Sequence, residues 1–251
     1  MRMRHKPWAL PEMKKDPKFF LEPFGMKGKW QKHFGNAAPI ELEIGCGRGD
    51  FIAQLAKRHP ERNFIALDLK NEVLVYALRK INQEKLDNVR IISMKAEELE
   101  KVFDQNEIAR VYINFANPWP KANHNKRRLT HPRFLALYRL FTKPDCVVEF
   151  KTDDEELYTA SLEYFPEAGY EMTYQTDDLP ANHPENIQTE YETKFRSFGM
   201  PIYRIDAVKR PISEERLEMM LEWKRKSMQK TGRPTWSTYK KDDPDSEPIE
   251  K

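Results

Sequence analysis

Short apolar runs alternate along this chain with longer segments in which apolar residues recur three and four positions apart. The runs at 40–44, 63–67, 89–93, 110–115 and 146–150 have the length and composition of strands. Between them, 50–58 carries Phe51, Ile52 and Leu55 on one face, and 72–84 carries Val73, Leu74, Ala77, Leu78 and Ile81 at helical spacing. Segments 132–141 and 155–165 read as helices as well. Alternation of this kind predicts a parallel sheet with helices on both faces. Further on, runs at 170–175 and 202–208 flank a polar insertion and predict a closing antiparallel pair. The expectation is an α/β fold with a doubly wound, mostly parallel seven-stranded sheet in residues 36–210.

The ends differ from this middle. Residues 1–35 hold nine Lys or Arg against three acids and read as a basic arm. Residues 211–229 form an amphipathic helix pattern with Leu217, Met220, Leu221 and Met228 on one side, whereas 230–251 is polar, proline-interrupted and expected to be disordered. Charged residues make up 33% of the 251, yet the net charge is only +3, so a polyanion has to be gripped by local clusters. Cys46 and Cys146 fit buried, reduced thiols and form no metal-ligand pattern, so no metal is expected. No stretch approaches the roughly 20 apolar residues of a membrane span. The chain therefore reads as soluble and cytoplasmic, with monomer and homodimer both open.

Candidate chemistry begins where the first strand pattern meets three glycines, in Glu41-Leu42-Glu43-Ile44-Gly45-Cys46-Gly47-Arg48-Gly49-Asp50-Phe51. Glycines in the first strand-to-helix turn let a ligand approach the backbone. Dinucleotide folds show G-x-G-x-x-G, whereas Gly45, Gly47 and Gly49 follow G-x-G-x-G. A carboxylate at Glu43, just ahead of the turn, repels a pyrophosphate and attracts the ammonium and sulfonium of S-adenosyl-L-methionine. Asp68, at the end of the second strand pattern, is placed to take ribose hydroxyls.

A second signature follows the fourth strand pattern: Asn114-Phe115-Ala116-Asn117-Pro118-Trp119-Pro120-Lys121. Two prolines fix the backbone around Trp119 and hold the Asn117 amide, a group able to grip the edge of a base on which Trp119 stacks. Lys121, His124, Lys126, Arg127, Arg128, His131 and Arg133 follow with no acid between 118 and 133. Such a run is often only a solvated face. Attached to a proline-locked turn at a strand end it reads as a grip for RNA phosphates, with Lys126, Arg127 and Arg128 at its centre.

With these signatures the chain resembles the bacterial tRNA (guanine-N7-)-methyltransferases, the TrmB family. The resemblance runs from Met1-Arg2-Met3-Arg4-His5-Lys6-Pro7-Trp8 through Lys27-Gly28-Lys29-Trp30, the glycine turn, the Pro118-Trp119-Pro120-Lys121 loop, Lys151-Thr152-Asp153 and Thr189-Glu190-Tyr191-Glu192-Thr193-Lys194-Phe195 to about residue 208. It implies a class I, Rossmann-like methyltransferase fold and methyl transfer from S-adenosyl-L-methionine to N7 of a guanine in the variable loop of tRNA. Residue by residue, it implies that Glu43 and Asp68 bind cofactor, as do the positions of Lys95, Ala96 and Asn117. It also implies that Lys121, Asp153, Thr189, Glu190, Tyr191 and Glu192 bind substrate. Asp153 and Glu192 have the chemistry to accept from guanine N1 and N2, while Lys121 can meet phosphate or O6. Asp153 also has a plainer reading, as the cap of the helix that follows.

Two positions depart from the pattern. Asn117 stands where the family commonly has Asp, and Lys95 stands where a carboxylate usually receives the adenine amino group; the Ala96 backbone or Glu97 are substitutes there. Guanine N7 has an unprotonated lone pair, so the transfer needs no general base, and Asn117, the one candidate catalytic residue, can serve by orientation. Three other readings remain: a methyltransferase acting on an adenine amino group, a non-catalytic RNA-binding protein on the same fold, and a nicotinamide-dependent dehydrogenase. Glycine spacing and Glu43 speak against the last.

Overall fold

In the computed structural model, which describes residues 5–230 and side chains as far as 222, the alternating pattern becomes one eight-stranded sheet. In chain order the elements are α1 (Ala9–Met13), β1 (Phe19–Leu21), α2 (Trp30–Phe34), β2 (Ile40–Ile44), α3 (Asp50–Arg58), β3 (Asn63–Asp68), α4 (Asn71–Gln83), β4 (Val89–Ser93), β5 (Ile108–Asn114), α5 (Pro132–Arg139), β6 (Thr142–Thr152), α6 (Glu155–Glu167), β7 (Tyr170–Thr176), α7 (Glu190–Ser197), β8 (Tyr203–Lys209) and α8 (Glu214–Lys230). Strand order is β1-β4-β3-β2-β5-β6-β8-β7. All pairings are parallel except those of β8, which runs antiparallel to both β6 and β7.

Helices cover both faces, so the central strands are buried throughout; every residue of β2 is buried, Glu41 and Glu43 included. The chain leaves β2 toward β3 and β4 on one side and returns to β5 and β6 on the other. The β2/β5 boundary is therefore a topological switch point, where open α/β sheets bind ligands outside the carboxyl ends of their strands.

The eighth strand is the departure from the expected seven. It is β1, inside the segment read as a basic arm, and it pairs with β4 from Phe19↔Ile91 to Leu21↔Ser93. The rest of that segment is folded down as well: Ala9, Met13 and Trp30 are wholly buried. Indole Nε1 of Trp30 donates to the Val102 carbonyl at 2.9 Å, and the Glu107 carboxylate accepts from the Gly28 and Trp30 N–H groups at 3.0 and 3.2 Å. A three-residue strand among lysines leaves little periodicity to detect.

Residues to Pro211 make one compact unit and those from Ile212 a second. In the second, where an amphipathic helix is expected over 211–229, α8 runs Glu214–Lys230, with Leu217, Met220 and Leu221 partly buried and Met219 exposed. The tail expected to be disordered falls, after its first residue, outside the described residues.

Candidate active site

The glycine turn caps the switch point. Gly45, Gly47 and Gly49 all have positive φ, at 86°, 53° and 74°. Their reasons differ. A Cβ on Gly47 would meet nothing within 4 Å, so that face of the turn is open, whereas a Cβ on Gly49 would lie 2.7 Å from Cβ of Ala77. Gly49 thus serves the packing of α3 on α4 rather than ligand approach. The Gly47 N–H donates to Asp68 Oδ2 at 3.0 Å, and the Lys70 N–H donates to Oδ1 at 2.9 Å, which fixes the Asp68 carboxylate beside the turn. Burial raises its pKa above the ordinary value.

Beneath the turn, Glu43 of β2 reaches Asn114 of β5 across the switch point. Asn114 Nδ2 donates to Glu43 Oε1 at 3.2 Å, and both residues are buried. Glu43 Oε2 and Asn114 Oδ1 remain without a hydrogen-bond partner among the described residues. Burial, with Asp68 and Asp50 nearby, raises the Glu43 pKa to about 8 against the pull of Asn114 and Lys151. Two orphaned acceptors with a suppressed charge suit a cation, and S-adenosyl-L-methionine brings an ammonium that can donate and a sulfonium that adds positive charge. The residues present therefore fit the cofactor. Asn114 had no place in the sequence reading; an amide closing an apolar strand was its signal.

Lys95 and Ala96 lie past the end of β4, at the start of a 3-10 turn, and both are partly buried. Glu97, considered as a substitute acceptor, is already paired, accepting from Arg133 at 3.2 Å.

The loop after β5 is locked in an unusual backbone. Phe115 and Trp119 have φ of 50° and 48°, positions that favour glycine. Asn117 is exposed, and its Oδ1 accepts the Trp119 N–H at 3.1 Å, which half commits the acceptor expected to face a base. The Trp119 ring carries the Arg127 guanidinium 4.8 Å from its centroid and His124 edge-on at 5.7 Å, so base stacking on Trp119 would compete with Arg127. Arg128 is the main correction. Assigned to RNA phosphate, it is instead buried, donating to the Pro118 carbonyl at 2.8 Å, the Trp119 carbonyl at 3.4 Å and Glu156 at 2.5 Å. It holds the loop from within. His131 also leaves the cationic run: it caps α5, and burial beside Arg133 and Arg128 lowers its pKa to about 4. Lys121 stays exposed, and Lys126 and Arg127 are partly exposed.

The remaining predicted residues gather at the end of β6. The cap of α6 is Asp154, which accepts the Leu157 N–H at 2.7 Å, so Asp153 is released from the capping role. Its Oδ2 receives a long hydrogen bond from the Tyr191 hydroxyl, at 3.4 Å. Tyr191 is 43% exposed, stacks on Phe195 at 4.3 Å and leans on Phe115 at 4.8 Å, which makes it the accessible aromatic of the rim. Thr189 caps α7 through the Glu192 N–H at 3.1 Å, and Glu190 is exposed.

Glu192 does not join them. It is fully buried, accepting from Lys151 at 3.1 Å, Asn186 at 2.8 Å and Arg196 at 2.8 Å, with no free edge for a base. Burial alone would raise its pKa, but Lys151, Asn186 and Arg196 outweigh it and hold the carboxylate below its ordinary value. Lys151 also donates to Asn186 Oδ1 and the Ile187 carbonyl, both at 3.0 Å. Lys151 and Asn186 were not singled out from sequence, although Lys151 stood in the Lys-Thr-Asp string.

Glycine turn, buried acceptors at a switch point and a polar rim on one sheet define a Rossmann-like methyltransferase. A family model described as a putative methyltransferase matches residues 37–205. Two solved structures share the fold: the 16S rRNA methyltransferase KamB (TM-score 0.57, 15% identity, 73% of this chain and 94% of that one) and the aminoglycoside resistance methyltransferase NpmB1 (0.53, 17%, 73% and 93%). Among curated proteins, the tRNA (guanine-N(7)-)-methyltransferase of Clostridium acetobutylicum is 50% identical over 203 residues, 80% of this chain and 96% of its own length. That of Desulfitobacterium hafniense strain Y51 is 51% identical over 203 residues, 80% and 94%. The chain belongs to the tRNA (guanine-N7-)-methyltransferase family.

Proposed function

We infer that this protein methylates N7 of guanine in tRNA with S-adenosyl-L-methionine as cofactor, and that the variable loop carries the target base. Within the family assignment, the observation that carries the reading is the pair of unpartnered buried acceptors, Glu43 Oε2 and Asn114 Oδ1, beneath a glycine turn and next to a rim of the exposed Asn117, Lys121 and Tyr191 and the partly buried Asp153. When bound, S-adenosyl-L-methionine supplies an electrophilic methyl group on a sulfonium. Glu43 offers charge to that end of the cofactor, and Asp68, held beside the turn by the Gly47 and Lys70 N–H groups, offers its carboxylate to the ribose. Lys95 and Ala96 flank the adenine position.

On the substrate side, guanine N7 carries a lone pair and no proton, so no residue has to act as base. Asn117 orients the base through the amide that its Trp119 contact steadies. Asp153 accepts from the guanine N1 and N2 donors, and Tyr191 covers a face of the base or its neighbour. Lys121, Lys126 and Arg127 meet phosphates. Thr189 and Glu190 set the start of α7, which carries Tyr191. Among the described residues no helix is long and apolar enough to cross a membrane, and the cytoplasm, where tRNA is found, is the compartment this reading implies.

The test is nucleoside analysis of unmodified tRNA after incubation with purified protein and cofactor. N7-methylguanosine at one variable-loop position is the expected product. A methylated adenine amino group, or no product despite cofactor binding, would refute the reading in favour of the alternatives.

A further inference from the structure

One face of α3 carries Asp50, Gln54 and Arg58, and each holds one residue of the segment leading into α7. Asp50 Oδ2 accepts the Glu190 N–H at 2.7 Å, Gln54 Nε2 donates to the Gln188 carbonyl at 3.4 Å, and Arg58 donates to the Asn186 carbonyl at 3.3 Å. Four residues of helix advance ~6 Å. Two residues of extended chain advance ~6.6 Å. The spacings agree, so 186–190 runs antiparallel along α3 with every second residue held.

The two ends of this ladder are secured differently. At the Asn186 end, Ile187 is buried in the hydrophobic core that includes Phe51, and Lys151 grips Asn186 and the Ile187 carbonyl. Toward the Glu190 end, an open surface groove of about 430 Å³ is lined by Asp50, Gln54, Gln188, Glu190, Thr193 and Lys194. There Asp50 ties the start of α7 to α3 through the Glu190 N–H. Asp50 directly follows Gly49 of the glycine turn, and Lys80 Nζ holds its Oδ1 at 3.0 Å. A carboxylate at the first N–H of α7 also complements the positive end of that helix.

We propose that Asp50 is a positioning residue that couples the two halves of the site: the occupied glycine turn fixes Asp50, Asp50 fixes the start of α7, and cofactor and RNA thereby bind cooperatively. The proposal rests on reading the turn as the cofactor site and Thr189–Tyr191 as part of the RNA-binding rim. Coupling of this kind is reciprocal and typically amounts to about 5- to 150-fold in affinity.

Binding of an unmodified tRNA transcript to the full chain, with and without saturating S-adenosylhomocysteine, measures the coupling without turnover. In the wild type the ligand should tighten tRNA binding at least ~5-fold. In Asp50→Ala that ratio should fall to within about twofold of one, while S-adenosylhomocysteine affinity measured without RNA stays within about threefold of wild type. Asp50→Asn, which keeps an acceptor for the Glu190 N–H, should restore most of the ratio. Gln54→Ala, one step along the ladder, should lower the ratio in part and serves if Asp50→Ala melts early. A wild-type ratio of one, an unchanged ratio in Asp50→Ala, equal weakening of tRNA with and without ligand, or loss of S-adenosylhomocysteine binding by Asp50→Ala would each overturn the proposal. Product analysis keeps the two ideas apart, since coupled binding without N7-methylguanosine counts against the proposed reaction and not against Asp50.

Discussion

Glu43→Gln should have opposite effects on the empty and the loaded protein. The Glu43 carboxyl is buried, with Oε2 unpartnered, and its pKa is raised from 4.5 to about 8, chiefly by burial. A folded-state value above the unfolded one favours folding fully below pH ~4.5, and that contribution is lost as pH rises through about 8. The whole change amounts to roughly 5 kcal/mol at most, less if water reaches Oε2. Gln keeps the shape and removes the charge. Without cofactor, the variant should therefore melt close to wild type at pH 5 and on the order of 5–15 °C above it at pH 8.5. With cofactor the sign reverses, because a neutral amide cannot match the cation: binding should weaken by about 1–3 kcal/mol, or roughly 5- to 150-fold. Wild-type affinity should climb with pH toward 8 and the variant's should stay flat. Calorimetric melts at both pH values, with titration of cofactor and of tRNA separately, test all of this. A variant less stable than wild type at pH 8.5, or one that binds cofactor as tightly, would refute the assignment of Glu43; equal loss of cofactor and tRNA affinity would too.

The loop and rim give three further tests. Lys126→Ala and Arg127→Ala should each flatten the salt dependence of tRNA binding by about 0.7–0.9 in log–log slope, whereas Arg128→Ala should leave the slope alone and cost about 2–4 kcal/mol of stability, read by denaturant titration. A slope change for Arg128→Ala would return it to the phosphate-binding set. Single-turnover methyl transfer at saturating tRNA should be retained or modestly raised in Asn117→Asp, which keeps the Trp119 contact and adds charge suited to the cationic product, and should drop roughly 10- to 1000-fold in Asn117→Ala. Wild type indistinguishable from the Ala variant would remove Asn117 from catalysis. Tyr191→Ala should cost about 1–3 kcal/mol of tRNA affinity while Tyr191→Phe keeps it; parity of the two would show that the hydroxyl on Asp153 matters more than the ring.

The legible part of the fold was the part whose periodicity has a single cause. Strands β2 to β5 sit between two helical layers, so their apolar runs stand out, and observed bounds lie within a residue or two of those expected. Strand β6 begins four residues earlier than read: Thr142 pairs with Ile108 of β5, and the exposed Lys143, Pro144 and Asp145, which carry no strand composition, fall in a register shift before Val147 pairs with Arg110. Strand β1, inside the basic segment, escaped notice for a related reason. The segment's lysines are distributed around three short elements, and of the residues that pin it Ala9 and Met13 make a single helical step in a five-residue helix while Trp30 lies in another element, so no period repeats.

At the site, sequence singled out residues that the structure leaves at least partly exposed, such as Asn117, Lys121 and Tyr191, together with residues that it buries, Arg128 and Glu192. Arg128 and Glu192 have the charge expected of RNA-binding groups, but a charge reads the same in sequence whether its partner is a phosphate or Pro118, Trp119 and Glu156. Only burial separates the two cases, and burial here follows from contacts 28 to 41 residues apart, Arg128 with Glu156 and Glu192 with Lys151. The same logic explains Asp153. Its neighbour Asp154 is equally able to cap α6 on chemical grounds, and the register of the helix alone decides that Asp154 bonds inward while Asp153 is left beside Tyr191. The buried charges thus act one step behind the chemistry. Lys151 and Glu192 secure the segment that presents Tyr191 and Arg128 secures the loop that presents Asn117, and under the proposed function the exposed residues so presented carry the recognition that the sequence had assigned to both sets.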